Sequence, residues 1–144
     1  MTVVFDAEPL LAFSFDEPGA DEVERWLDRV YDSELDGYVS TINLAEFRYI
    51  AIRKSSVEKA DAHINDLQAM GVTEYRTDHL WKTVSHLKAT YSPSLADAYA
   101  VAVARDLDDQ QDVTLLVGAD DDYDAFEAAD GYGHLIERFR EKPA

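Results

Sequence analysis

The sequence predicts a single α/β domain over residues 1–144, a central and mostly parallel sheet flanked by helices. Three observations predict it. Short apolar, β-branched runs alternate with amphipathic segments of helical length along the whole chain. No two of those runs lie close enough for a tight hairpin, so crossovers must join them. The 144 residues, 47% of them hydrophobic, suffice for one full core.

Thr2–Phe5 is a short apolar strand that Asp6 ends. Pro9 suits the first turn of a helix through Leu10, Leu11 and Phe13. Pro18 and Gly19 introduce a second helix, in which Ala20, Val23, Leu27 and Val30 recur at helical spacing. Asp36-Gly37 reads as a turn and Tyr38–Ile42 as the second strand. Asn43-Leu44-Ala45-Glu46 opens a third helix, which ends near Arg53-Lys54. Ser55-Ser56 caps a fourth, with Val57, Ala60, Ile64 and Leu67 on its buried face and Gly71 past its end. Val72–Tyr75 is a weak third strand. A fifth helix starts at Thr77 or Asp78 and carries Leu80, Val84 and Leu87; Ser92-Pro93 breaks the chain after it. The sixth, Leu95–Arg105, is apolar nearly all round from Ala98 to Ala104, so it should be buried against the sheet. Val113–Val117 is a run long enough for one strand buried on both faces. Beyond it, Asp124–Ala129 reads as a short helix, Gly131 and Gly133 as a turn, and His134–Ile136 as a last strand.

The chain has no cysteine, which removes disulfides, thiolate metal sites and a cysteine nucleophile. No apolar run approaches membrane-spanning length, and Met1-Thr2 leads straight into a strand, so a cytoplasmic protein without a membrane partner is expected. The formal charge is −17, from 30 acids against 13 bases. Such a balance ordinarily argues against nucleic acid, whose phosphates carry like charge. Nineteen of the acids are aspartate and arginine outnumbers lysine eight to five, which fits a halophilic, solvated surface. At ~1 M salt the screening length is about 3 Å, so this surface would not repel a polyanion at a distance.

Four acids stand at element ends that a parallel sheet could bring to one rim. Asp6 and Asp120 follow strands, and Glu46 and Asp97 lie in the first turns of helices. Asn43-x-x-Glu46 and Ser94-x-x-Asp97 also fit the capping box, in which the third residue reaches back to the cap's backbone N–H. Taken as a set, the carboxylates need a cation or water, because clustered charge beside apolar segments is costly. Mg2+ or Mn2+ would suit such ligands and leave room for a phosphate. Two such ions about 4 Å apart can activate water and stabilise the leaving oxygen of a phosphodiester.

The stretches Val3-Val4-Phe5-Asp6, Val39–Glu46, Ser94–Ala102 and Leu115–Tyr123, in that order, resemble the PIN-domain ribonucleases, in particular the VapC-type toxins of toxin–antitoxin pairs. Asp16-Glu17-Pro18-Gly19-Ala20 resembles the family's early loop. The resemblance runs from residue 3 to about 136 and implies a single PIN-like domain that hydrolyses RNA with Mg2+ or Mn2+. It makes Asp6, Glu46, Asp97 and Asp120 catalytic, metal-binding acids, with Asp122 as the accessory acid, and leaves Asp121 and Asp124 to solvent. Two positions depart from the pattern. Glu8 stands where a small polar residue is usual, and Gly118 where a Thr or Ser is usual. A toxin also implies a small antitoxin, which would block the acids with an Arg or Lys.

Other readings stay beside this one. Arg48 and Arg53 follow Glu46 and could meet an RNA phosphate, or could complement the helix dipole, the reading preferred for Lys54. His63, His79, His86 and His134 show no zinc-binding spacing. Trp26, Tyr31, Phe47 and Tyr49 could form a homodimer interface or pack in the core. A housekeeping RNA-processing nuclease would use the same acids as a toxin. A phosphoacceptor domain would want an acid next to Asp6 and a lysine after a late strand, where this chain has Gly118-Ala119. A non-enzymatic binding module would be signalled by loss of an acid, and all four remain.

Overall fold

Strand β1 (Thr2–Phe5) is buried at every position, as an uninterrupted apolar run requires, and it forms the middle of the sheet. The computed structural model describes residues 1–141, so the last three residues of the expected 1–144 domain lie outside the described residues. Around β1 stand β2 (Asp36–Ser40), β3 (Val72–Tyr75), β4 (Val113–Val117) and β5 (Ile136–Arg138). Their order is β3-β2-β1-β4-β5, and every pairing is parallel. The expected, mostly parallel α/β domain is therefore a wholly parallel one.

Alternation along the strands divides the core in two. Val3 and Phe5 of β1 and Leu116 of β4 face α1 (Ala7–Ser14), α2 (Ala20–Tyr31), α3 (Thr41–Lys54) and α4 (Val57–Ala69). Val4, Val113, Leu115 and Val117 face α5 (Trp81–Tyr91), α6 (Leu95–Asp108) and α7 (Asp124–Glu127). Trp26 and Phe47 belong to the first layer, whereas Tyr31 and Tyr49 are exposed. Helix α6 is the buried one, with Ala98, Ala100 and Val101–Ala104 inaccessible. Among the described residues no helix is long and apolar enough to cross a membrane.

Several boundaries differ from the sequence reading. Strand β2 begins at Asp36, not after a turn at Asp36-Gly37, and ends at Ser40. Gly37 is part of the strand because a Cβ there would come 2.9 Å from a Val30 methyl. Helix α3 accordingly starts at Thr41, with Ser40 as its cap: the Ser40 hydroxyl accepts from the Asn43 N–H at 2.9 Å. Helix α5 starts at Trp81, because residues 77–80 close a separate turn through Leu80 N–H to Thr77 C=O. Helix α6 runs three residues past Arg105, and α7 stops at Glu127. The last strand lies two residues later than expected, since Gly133–Leu135 forms a 3-10 turn.

The strand order fixes where a ligand can sit. From β1 the chain winds outward through β2 and β3, then returns to place β4 on the other side of β1. Helices leave β1 and β4 on opposite faces, the switch of direction at which open α/β sheets bind ligands, outside the carboxyl ends of the strands. Asp6 directly follows β1, and Asp120 lies three residues beyond the end of β4.

Candidate metal centre

Asp6 is nearly inaccessible and adopts the extended backbone of a helix cap. Its Oδ1 accepts from the Ala7 N–H at 2.8 Å and from Asn43 Nδ2 at 3.2 Å. Asn43 is fully buried, and its amide spans three elements. Nδ2 also donates to the Ala96 carbonyl at 3.2 Å, while Oδ1 takes the Ser40 hydroxyl. One amide thus holds the end of β1, the start of α3 and the first turn of α6. The capping box of Asn43 and Glu46 does not form, because the cap is Ser40 and Asn43 is the third residue of the helix. Glu46 lies a turn deeper, half-buried, out of reach of the helix's free N–H groups.

At α6 the Ser94 cap is present: its hydroxyl accepts from the Asp97 N–H at 3.2 Å. The reciprocal bond is made by another residue. Asp122 Oδ2 accepts from the Ser94 N–H at 2.8 Å, and the Asp97 carboxyl turns inward. Its Oδ1 accepts from the Tyr123 hydroxyl at 3.1 Å, and among the described residues its buried Oδ2 has no hydrogen-bond partner. Asp120 caps the 3-10 turn Asp121–Tyr123 through the Asp122 N–H at 2.9 Å. Asp97, Asp120 and Asp122 each offer an oxygen, and the three lie within 4.8 Å of one another. Asp6 and Glu46 border this triad rather than share it.

Arg138 on β5 holds the loop that carries Asp120. Its guanidinium donates to the carbonyls of Gly118 at 2.7 Å and Asp120 at 3.1 Å, and to Asp124 at 2.8 Å and Glu127 at 2.7 Å. Asp124, expected to be solvated, is therefore an ion-pair partner. Sequence reasoning missed Asn43, Tyr123 and Arg138 as parts of the site. The one signal for Tyr123 was its place between three consecutive acids, Asp120–Asp122, and a fourth, Asp124; Arg138 gave none.

The electrostatics follow from burial and crowding. Desolvation, then the Glu46 and Glu8 charges, push the Asp6 carboxyl up to about 7, against the pull of the Ala7 N–H and Tyr123. Desolvation, with Asp6 and Asp120 beside it, pushes Asp97 up to about 9. Glu46 is raised by burial and by Asp120. Tyr123, inaccessible between Asp6 and Asp97, is held far above its ordinary value by burial and both charges, so it stays a donor. Burial and mutual repulsion disfavour ionising Asp6, Glu46 and Asp97, and a bound cation would offset both. An all-oxygen donor set with one orphaned buried carboxylate oxygen fits a hard divalent ion.

The two departures in the sequence turn out to be one feature. A Cβ at Gly118 would fall 1.1 Å from Glu8 Oε2. Glu8 reaches across from α1 into that space and accepts from the Ala119 N–H at 2.8 Å, with Arg140 at 3.5 Å on the same oxygen. Elsewhere, Arg48 is held by both oxygens of Asp61 at 2.8 and 3.3 Å, and Arg53 stacks over Tyr49 at 5.2 Å. Neither arginine is tied to the acids.

The PIN-domain family model matches residues 3–130. Among solved structures, a chain in the crystal structure of VapBC2 from Rickettsia felis, bound to a DNA fragment from their promoter, shares the fold. The TM-score is 0.68 at 13% sequence identity, covering 96% of this chain and 98% of that one. Among curated proteins none matches.

Proposed function

This chain belongs to the PIN-domain family, and we propose that it is a divalent-metal-dependent ribonuclease, the toxin of a toxin–antitoxin pair. The observation that carries the proposal is Asp97 Oδ2, a buried carboxylate oxygen with no hydrogen-bond partner among the described residues, beside Asp120 and Asp122. A cap needs none of that. Asp97, Asp120 and Asp122 would hold Mg2+ or Mn2+, with Asp6, near Asp97, and Glu46, near Asp120, completing the acid set. When bound, such an ion supplies charge stabilisation to the phosphodiester and lowers the pKa of a water. The chain's own groups fix the ligands: Tyr123 holds one oxygen of Asp97, Asn43 orients Asp6, and the Ser94 N–H anchors Asp122. Glu46, half-buried and raised, is suited to receive a proton.

RNA as substrate and the toxin role are supported by the VapC-like motifs and by the fold shared with VapBC2. An antitoxin would silence the pocket by placing a cationic side chain among the acids. The test is cleavage of a mixed RNA pool with Mn2+, with EDTA, and with a co-expressed small protein from a neighbouring gene. Cleavage should require the metal and be suppressed in a stable complex with that protein. Cleavage that survives EDTA would refute the metal site. Metal-dependent cleavage with no binding neighbour, and no slowing of growth on expression, would make the chain an RNA-processing nuclease.

A further inference from the structure

A nuclease with a formal charge of −17 must still admit a polyanion. The longest stretch without a single Asp or Glu is residues 79–96, which ends directly before Asp97. It contains all of α5 and the connection into α6. The outward face of α5 bears Trp81, 59% exposed, with Lys82 Nζ 5.3 Å from its ring centroid. Lys88, seven residues on from Trp81, shares its side of the helix. Among the described residues neither lysine is in an ion pair; Arg53 and Lys59 share that freedom but lie on α3 and α4, whereas Arg48, Lys54 and Arg76 are each bound to a carboxylate. Beside Lys82, an open cleft of about 300 Å³ runs past His86 to Tyr132.

This face is joined to the acid centre through one peptide group. Lys88 Nζ donates to the Pro93 carbonyl, and the N–H of the same Pro93–Ser94 peptide donates to Asp122 at 2.8 Å. We infer that single-stranded RNA reaches the centre along α5, with a base stacked on Trp81 and phosphates at Lys82 and Lys88. The inference rests on the ribonuclease reading above. Charge complementarity selects the occupant: a polyanion meets carboxylates along most of this surface, and α5 offers it two ammonium groups and an exposed ring. Stacking and phosphate contact are the two terms that bind single strands without sequence preference.

The test uses the full chain and a labelled single-stranded RNA oligonucleotide, with anisotropy titrations in EDTA over a salt series and steady-state cleavage in Mn2+. Trp81→Ala should weaken binding about tenfold with the salt slope unchanged. Lys82→Ala should lower the slope of log K against log salt by about 0.7. Both should raise KM and leave kcat and the Mn2+-induced rise in melting temperature as in the wild type. Lys59→Glu on α4 should change none of these. Lys88→Ala would also disturb the Pro93 connection, so Trp81 and Lys82 carry the test. Wild-type binding and KM in both variants would overturn the inference while leaving the nuclease standing. A wild-type chain that takes Mn2+ but neither binds nor cuts RNA would overturn the ribonuclease reading and this inference with it.

Discussion

Asp97 is where a helix cap and a metal ligand can be told apart. A capping acid would return its carboxyl to the Ser94 N–H, but Asp122 occupies that donor, and one Asp97 oxygen is left buried and unpaired. Folding therefore destabilises the ionised form of both buried acids. In the unfolded chain Asp6 and Asp97 ionise near pH 4, whereas in the folded chain they keep protons up to about 7 and about 9. Between those limits the folded state binds more protons, so stability falls as pH rises. Without metal, melting temperature should drop from about pH 5 to about pH 8, Asp6 contributing to the lower part and Asp97 throughout. Asp97→Asn removes the Asp97 share, so its profile should be flatter and its melt in EDTA no lower than wild type, while cleavage is lost. Parallel profiles, or a lowered melt with cleavage intact, would restore the cap. The four acids were legible as residues because each sits beside an apolar segment. Their partners were not: Tyr123 reaches Asp97 across 26 positions and Asn43 reaches Asp6 across 37, and no local pattern encodes either.

At the scale of elements, α1 and the loop after β4 are fitted to each other through Glu8 and Gly118. Any side chain at 118 must evict Glu8, which breaks its bond to the Ala119 N–H and loosens the loop that presents Asp120. Gly118→Ala should cost about 1–3 kcal/mol, the range for a buried donor left unpaired or a site overfilled. Glu8→Ala removes the bond but opens the space. In Glu8→Ala/Gly118→Ala the new methyl has room, so the double variant should be more stable than the sum of the singles by about 1 kcal/mol. Urea unfolding of the four proteins measures this, and additivity within about 0.5 kcal/mol would show that the fit is incidental. Both residues stood out in the sequence, but as separate oddities. Separated by 110 positions, they meet only because β1 and β4 are neighbours. Element types were readable from periodicity, and element ends less so. The two-residue shift of β2 came from Gly37, a turn residue by habit that here serves close packing on Val30.

For the whole molecule, the parallel α/β class was legible and the strand order was not. Alternating runs without hairpins require crossovers, but nothing in β3 or β5 announces that they are the edges. The acidic surface leads to a separate expectation. If it is built for high salt, screening should relieve its self-repulsion, and melting temperature should rise steeply between ~0.1 M and ~2 M KCl. A flat response would remove that reading. The strand order brings acids from residues 6, 46, 97, 120 and 122 to the carboxyl ends of β1 and β4, and the proposed function depends on what they hold. The most direct measurement is anomalous diffraction at the manganese edge from crystals of the full chain soaked in Mn2+. A peak ligated by Asp97 Oδ2 with Asp120 and Asp122, absent from Asp97→Asn crystals, is the predicted result. A well-ordered acid cluster with no peak there, or a peak only at exposed carboxylates elsewhere, would contradict it.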